Sequence, residues 1–334
     1  MFYSDELLEP SKSASTLVVV VRVATGCTLG CQHCGFSRDL SLTRREIDSS
    51  TLLQLGASLQ GIQERSNRRV LVSWLGGEPF LWTDWRNLTA RFKKEFGLSL
   101  SITTNGLALA SDSIRSFALS HFSEITVSID GIELHHDFMR GSLGMFQRLQ
   151  GVVAKIRQER DPQQTRLRVN TVLTEFNVAS FPEFCREMAL WGFDELTFNP
   201  LGGNDRPEFF AEHRLTVSQV EQLSRDLIGL RTECKNMGLL IRGGYGYLNR
   251  LLAAARGECI PIDDCKPGET FLFIDERGLV SPCSFTCGTL GIPVSQWIAE
   301  GAFKASKDFL QTKRILRNAA CEDCFATNVF DKFT

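Results

Sequence analysis

The chain has 334 residues, 43% of them apolar and 23% charged, which is the profile of a folded globular protein with one large core and a smaller appendage, not of a disordered one. Lys and Arg number 37 against 39 Asp and Glu, so the basic footprint of a nucleic-acid binder is missing, and the local run Asn67, Arg68, Arg69 reads as solvated surface. The longest apolar run, Leu17 to Val21 and on to Ala24, is too short to span a bilayer and is broken by Arg22; the acidic "MFYSDELLEP" does not suit an export signal, so no membrane partner and a cytoplasmic location are expected.

In chain order, strands are expected at Leu17 to Thr25, Arg69 to Leu75, Leu98 to Thr104, Glu124 to Ile129, Arg166 to Leu173 and Glu195 to Asn199, each short, apolar and rich in β-branched or aromatic residues. Helical stripes lie between them. Leu52, Leu55, Leu59 and Ile62 form one; Trp85, Leu88, Phe92 and Phe96 a second; Phe146, Leu149, Val153 and Ile156 a third; Phe181, Phe184, Met188 and Trp191 a fourth. A further helix is expected near Val217 to Met237, with Val220, Leu223, Leu227, Leu230 and Cys234 inward. Strict β-then-α alternation implies a parallel sheet with helices outside, either open and doubly wound or curved toward a barrel. Six units are fewer than the eight of a closed barrel, so the natural form is α/β, a partial (β/α)6 TIM barrel.

The pattern changes after residue 240. Glycines crowd "RGGYGYLNR", then come Cys259 and Cys265, a hairpin from Phe271 to Ser284 turning at "DERG", a short helix and a final "CEDC". The expected division is an extension over 1–16, the barrel over 17–240 and a small cysteine-dense module over 241–334, too poor in apolar residues to make much of a core without a metal.

Eleven cysteines without an export signal point to thiolate or metal chemistry before disulfides. Three of them, Cys27, Cys31 and Cys34 in "GCTLGCQHCG", follow the first strand, at the edge where parallel α/β folds build their sites. Zinc normally takes four protein ligands, or three and a water. Three thiolates with no fourth partner nearby fit better with a cube of four irons in which one iron keeps a place for another ligand.

The spacing of Cys27, Cys31 and Cys34, with His33 before the last, resembles the signature of radical S-adenosylmethionine (radical SAM) enzymes. "GGEP" (Gly76 to Pro79), "TTNG" (Thr103 to Gly106) and "VSIDG" (Val127 to Gly131) end successive strands as that family's SAM-binding stretches do, and "HDFMRGSLGMF" (His136 to Phe146) looks like the segment that follows. The resemblance covers residues 17 to 240. It implies that SAM chelates the open iron and that one electron splits the sulfonium to a 5'-deoxyadenosyl radical, which takes hydrogen from unactivated carbon. It also implies roles: Cys27, Cys31 and Cys34 as ligands; His33, Gly76, Gly77, Glu78 and Pro79 at SAM, with Glu78 at its ammonium; Ser128 and Asp130 where ribose would sit; Asn105, Arg140 and Asn170 as further contacts. His135 and His136 read as surface or capping residues.

Gly278 allows a tight turn that returns Cys283 beside Cys265, and Cys321 with Cys324 completes four thiolates. This set resembles the abbreviated SPASM, or "twitch", module that holds one auxiliary four-iron cluster, since no cysteines follow the final pair as in a full SPASM module. A four-thiolate zinc site is the competing reading, because spacing does not separate the metals. Cys259 and Cys287 are left over, as buried thiols or as hydrogen-atom donors; Cys185 and Cys234 fall on helical stripes and read as core.

Two 4Fe-4S clusters and SAM are therefore the implied cofactors, with an external one-electron donor such as flavodoxin or ferredoxin. A cluster closed by four thiolates suits electron transfer, and with it oxidation or cross-linking. The substrate expected is a small metabolite of natural-product biosynthesis, since the residues before the first strand are too few for the leader-recognition domain that peptide maturases often carry. A ribosomal-peptide maturase, cross-linking or epimerising, is the alternative, and a non-catalytic iron-sulfur or zinc scaffold is the reading of another class. Substrate contacts are expected from Asn204, Asp205 and Arg206 in "GGNDRPEFF" and from Arg242, Tyr245 and Tyr247 in "RGGYGY".

Overall fold

Six strands lie where the sequence puts them, within a residue or so at each end: β1 (Leu17–Ala24), β2 (Val70–Gly76), β3 (Ser99–Thr104), β4 (Glu124–Ser128), β5 (Arg166–Leu173) and β6 (Glu195–Pro200). The computed structural model describes residues 16–202, 205–261, 265, 268, 270–301, 319–322 and 324. Helices α1 (Ser49–Ser66), α2 (Trp85–Lys94), α3 (Asp112–His121), α4 (Leu134–Arg140), α5 (Met145–Glu159), α6 (Phe181–Trp191), α7 (Pro207–His213) and α8 (Val217–Asn236) follow in turn. Asp48 caps α1 by accepting from Thr51 N at 2.8 Å, and α8 opens with a reciprocal Thr216 and Gln219 capping box.

The parallel set is larger than six. β7 (Leu240–Ile241) pairs with β6, and two residues are too few to show a period. After α9 (Tyr245–Arg256), β8 (Phe271–Ile274) pairs in parallel with β1, Val18 opposite Phe271. The expected hairpin is present, β8 turning back into β9 (Leu279–Ser281), and a last pairing adds β10 (Ile292–Pro293). The hairpin thus belongs to the barrel's own sheet, whose order is β10-β9-β8-β1-β2-β3-β4-β5-β6-β7. α10 (Cys287–Leu290) and α11 (Val294–Glu300) complete the described C-terminal part with a short turn at Ala319–Glu322.

The sheet's two faces differ in kind. Val19, Val21 and Val23 of β1, Val70, Val72 and Trp74 of β2, and Ile125 and Val127 of β4 join one continuous core with Leu52, Leu55 and Leu59 of α1, Leu149 and Val153 of α5, and Val220 and Leu227 of α8. The opposite face carries Val18, Val20, Leu71, Phe271 and Phe273 at one end and a run of polar side chains at the other. Helices pack on one side of a parallel sheet whose other side is polar, an α/β arrangement consistent with a partial barrel and not with a doubly wound sheet.

Candidate active site

Where β1 ends, the chain enters the three-cysteine loop, with Cys31 buried and Cys27 and Cys34 half-buried. The loop is fastened by the end of β2 and by α4: Gly77 N donates to Ala24 O and Glu78 N to Gly26 O, both at 2.8 Å, and Gln32 N donates to Met139 O at 3.0 Å. A Cβ on Gly76 would stand 2.5 Å from Ala24 O, and one on Gly77 would collide with the Gly26 carbonyl. The two glycines are there so that two backbones touch.

Burial pushes the thiols of Cys27, Cys31 and Cys34 up, that of Cys34 to about 11, and Cys31 raises both of the others further. Buried, mutually repelling thiols become ligands only where a cation offsets the cost of ionising them. The surroundings suit such a group: Phe36 N donates to Cys34 Sγ at 3.3 Å, and Arg140 Nη1 reaches Cys31 Sγ at 3.9 Å. Hydrogen bonds and a positive charge at the sulfurs stabilise an anionic iron-sulfur cluster and tune its potential. Among the described residues, no three His, Cys, Asp or Glu groups converge on a single-ion position.

Glu78 is buried at the end of β2. Its carboxylate accepts from Thr104 Oγ1 at 2.7 Å, Asn105 N at 2.9 Å and Phe80 N at 3.2 Å, tying the ends of β2 and β3 together. Burial pushes its pKa up against those donors. Pro79 begins a buried 3-10 turn, Pro79–Leu81. Asn105 accepts from Leu107 N at 3.0 Å through Oδ1, while its buried Nδ2 has no partner among the described residues, an orphaned donor of the kind a ligand satisfies.

Asp130, 0% exposed, accepts from Val172 N at 2.9 Å and lies 2.8 Å from Arg140 Nε, off the N–H direction, so the contact is an ion pair more than a hydrogen bond. Burial alone would raise its carboxyl, but Arg140, with His33 and His136, outweighs it and holds the carboxyl low. His136 corrects the sequence reading. It is fully buried, its Nδ1 accepts from Asp130 N at 3.1 Å, and burial, then Arg140, lowers its pKa to about 4; His135 is exposed. His33 is half-buried with Nδ1 unpartnered among the described residues, and burial lowers its pKa to about 4.

Ser128 and Asn170 are register neighbours on β4 and β5, and Asn170 Oδ1 accepts from Thr197 Oγ1 and Asn199 Nδ2, both at 2.9 Å. They belong to the polar inner face. Of the substrate contacts expected, Asp205 packs against Gly35 beside the cysteine loop and Arg206 pairs with Glu208. Tyr247 is buried and donates to Phe198 O at 2.9 Å. Arg242 is committed elsewhere, its Nη2 donating to Glu195 Oε1 at 2.7 Å. Asn204 and the side chain of Tyr245 lie outside the described residues.

In the C-terminal part, Cys265, Cys283 and Cys321 are half-buried and Cys324 is buried. Arg250 of α9 donates to the carbonyls of Ile260 at 2.5 Å and Cys324 at 2.6 Å, fastening both segments to one helix. Cys287 is buried with Sγ 2.9 Å from Ser281 Oγ, and Cys259 is exposed. Cys185 and Cys234 are core residues, as their stripes imply.

Sequence reasoning passed over two features. Glu124, Arg168, Glu195, Arg242 and Arg166 form an ion network at the strand starts, with Arg168 3.0 Å from Glu124 and 3.1 Å from Glu195. Arg22 of β1 faces the barrel interior. The signal for both was alternation: Ser101 and Thr103, Thr126 and Ser128, Arg168 and Asn170, Glu195 and Thr197 put every second, polar side chain on one face.

Residues 21–159 match the family model of the radical SAM superfamily, and this stretch is a radical SAM domain. An "AdoMet-dependent heme synthase" of Methanosarcina barkeri is 22% identical over 283 residues, 80% of this chain and 76% of that one. A "Pre-heme d1 synthase" of Dinoroseobacter shibae is 27% identical over 235 residues, 66% of this chain but 54% of that one. Among solved structures, Streptococcus suis SuiB bound to S-adenosylmethionine superposes with a TM-score of 0.66 at 15% identity, covering 93% of this chain and 72% of SuiB. Native anSMEcpe with bound AdoMet gives 0.65 at 16%, covering 92% and 88%. At those identities the likeness is one of fold. Among the described residues, no helix is long and apolar enough to cross a membrane.

Proposed function

We propose that this radical SAM enzyme binds a 4Fe-4S cluster through Cys27, Cys31 and Cys34 and SAM along the strand ends from Gly76 to Asn170, and acts on a small molecule. The observation that carries the reading is the junction of the cysteine loop with the "GGEP" turn, where Gly77 and Glu78 donate to Ala24 and Gly26 at 2.8 Å. A cluster loop and a SAM-binding turn that are hydrogen-bonded together hold their two ligands in fixed relation. When bound, the cluster and SAM supply a 5'-deoxyadenosyl radical that takes hydrogen from carbon.

The chain's own residues position, shield and balance charge. Arg140 sets a cation beside Cys31 and is itself held by Asp130. Asn105 Nδ2 offers an unspent donor, and Ser128, Asp130 and Asn170 present polar groups where the nucleotide would lie. Glu78 holds the turn from behind by gripping Thr104 and Asn105, a positioning role in place of the ammonium contact its sequence position suggests. Cys265, Cys283, Cys321 and Cys324 are assigned to one auxiliary cluster in a twitch-type module over 241–334, for electron transfer, with reducing electrons coming from a flavodoxin or ferredoxin. The names of the two curated relatives, both synthases of small molecules, support oxidation or bond formation on a metabolite before maturation of a peptide.

The test is anaerobic reconstitution with iron and sulfide, reduction, and assay of SAM cleavage to 5'-deoxyadenosine. Cleavage by the unaltered chain and its loss in Cys27→Ala, Cys31→Ala and Cys34→Ala are expected; a fully loaded protein that leaves SAM intact would favour a scaffold.

A further inference from the structure

Arg22 breaks the apolar run of β1, and the structure gives the break a direction. Its backbone is in register with Leu75 of β2, and it shares its face with Val18 and Val20, which pack with Leu71, Phe271 and Phe273 on the inner side of the sheet. The guanidinium lies 5.1 Å from the Phe36 ring and 5.4 Å from the Phe273 ring. Phe36 belongs to the three-cysteine loop, its N donating to Cys34 Sγ, while Phe273 packs with Cys287 and Cys283. Arg22 therefore stands between the two cysteine groups, at the inner mouth of the barrel.

The way its donors are spent is uneven. Nε donates to Glu276 Oε2 at 2.6 Å, from the tip of the β8–β9 hairpin, and no bond is made by either terminal nitrogen among the described residues. The side chain keeps 18% of its surface and Glu276 11%, so the site is restricted yet open. On the inner faces of β1, β2 and β8 the neighbours are Val18, Val20, Leu71, Ser73, Leu75, Phe271 and Phe273, none of them charged, and the buried carboxylate that follows β8, Asp275, is already paired with Arg277 at 2.6 Å. A guanidinium stacked on an aromatic ring, held at Nε and surrounded by low-dielectric groups presents its remaining fork to a planar anion.

We infer that Arg22 is a substrate-anchoring residue, whose two terminal nitrogens bind a carboxylate of the substrate between the cysteine loop and the β8–β9 hairpin. The inference rests on the barrel mouth being the reaction site, and it narrows the substrate class to anionic, carboxylate-bearing small molecules. Glu276 attenuates the charge of Arg22 and orients it. No bond is made or broken at this residue.

The probe is benzoate against its neutral isostere benzamide, titrated by calorimetry into the reconstituted full chain with SAM. The unaltered protein should prefer benzoate by roughly tenfold, the worth of a charge-assisted hydrogen-bonded pair. R22Q should lose the preference, R22K should keep part of it, and E276Q, which frees the guanidinium from its carboxylate, should strengthen benzoate binding. Equal affinity for the two probes, or a preference that survives R22Q, would overturn the inference. So would R22Q and E276Q lowering thermal stability alike with benzoate preference intact, since Arg22 would then be only a pin for the hairpin. Should R22Q fail to fold, E276Q decides by itself: unchanged benzoate affinity rejects the anchor. SAM cleavage by the unaltered chain reports on the reaction site separately, so the two readings fail independently.

Discussion

Arg140 lies 2.8 Å from Asp130 with both side chains buried, and the same guanidinium reaches Cys31 Sγ at 3.9 Å. Removing one member of a buried pair strands the other's charge, at about 3–5 kcal/mol. Asp130→Asn and Arg140→Met should each lower stability by that order, and the double variant by less than their sum. Denaturant midpoints of the unaltered chain and the three variants give the comparison, and additive losses would show that the pair is not coupled.

His136 makes stability depend on pH in a definite direction. Its folded pKa, about 4, lies below the ordinary value of 6.5, so its contribution is complete above pH 6.5 and is lost as pH falls toward 4. The full span is at most about 3 kcal/mol. Between pH 7 and pH 5, the denaturant midpoint of His136→Asn should fall less than that of the unaltered chain. Parallel pH profiles would show that the imidazole is charged or exposed in the folded state.

Gly77 has no room for a methyl group because the Gly26 carbonyl occupies it. Gly77→Ala should displace the cysteine loop, at a cost of about 1–3 kcal/mol, and reduce iron retained after reconstitution. Iron content per chain measures this. A variant that loads fully would mean that the loop is not seated on the "GGEP" turn.

The ion network at the strand starts hinges on Arg168, placed between Glu124 and Glu195. Arg168→Met leaves two buried carboxylates short of a partner and should destabilise by about 3–5 kcal/mol, whereas Arg166→Met, at a half-exposed position, should cost about 1 kcal/mol or less. Equal losses would contradict this ordering.

Strands β1 to β6 and the stripes of α1, α5, α6 and α8 were legible because long periodic segments announce themselves. β7 was not, having two residues, and β8 was legible as a hairpin arm but not as the neighbour of β1, since pairing partners distant in sequence leave no local mark. The cysteine loop and the glycines of "GGEP" were visible as motifs. What the glycines touch was not, because backbone-to-backbone contact between β1 and β2 is set by the sheet. His136 was misjudged for a similar reason: adjacent to exposed His135 on a short helix, it turns inward to meet the backbone of Asp130. Arg242 was read with its glycine-rich loop, but the length of its side chain carries it down to Glu195.

Electron paramagnetic resonance of the anaerobically reconstituted, reduced protein, before and after SAM is added, shows whether the N-terminal thiols hold a cluster that SAM reaches. If Cys321 and Cys324 hold a second cluster as proposed, the Cys321→Ala and Cys324→Ala double variant should lose about half of the iron and leave the N-terminal site alone to be observed. A four-iron signal that changes when SAM binds and disappears in Cys31→Ala is expected. Zinc at Cys27, Cys31 and Cys34, or a cluster indifferent to SAM, would contradict it.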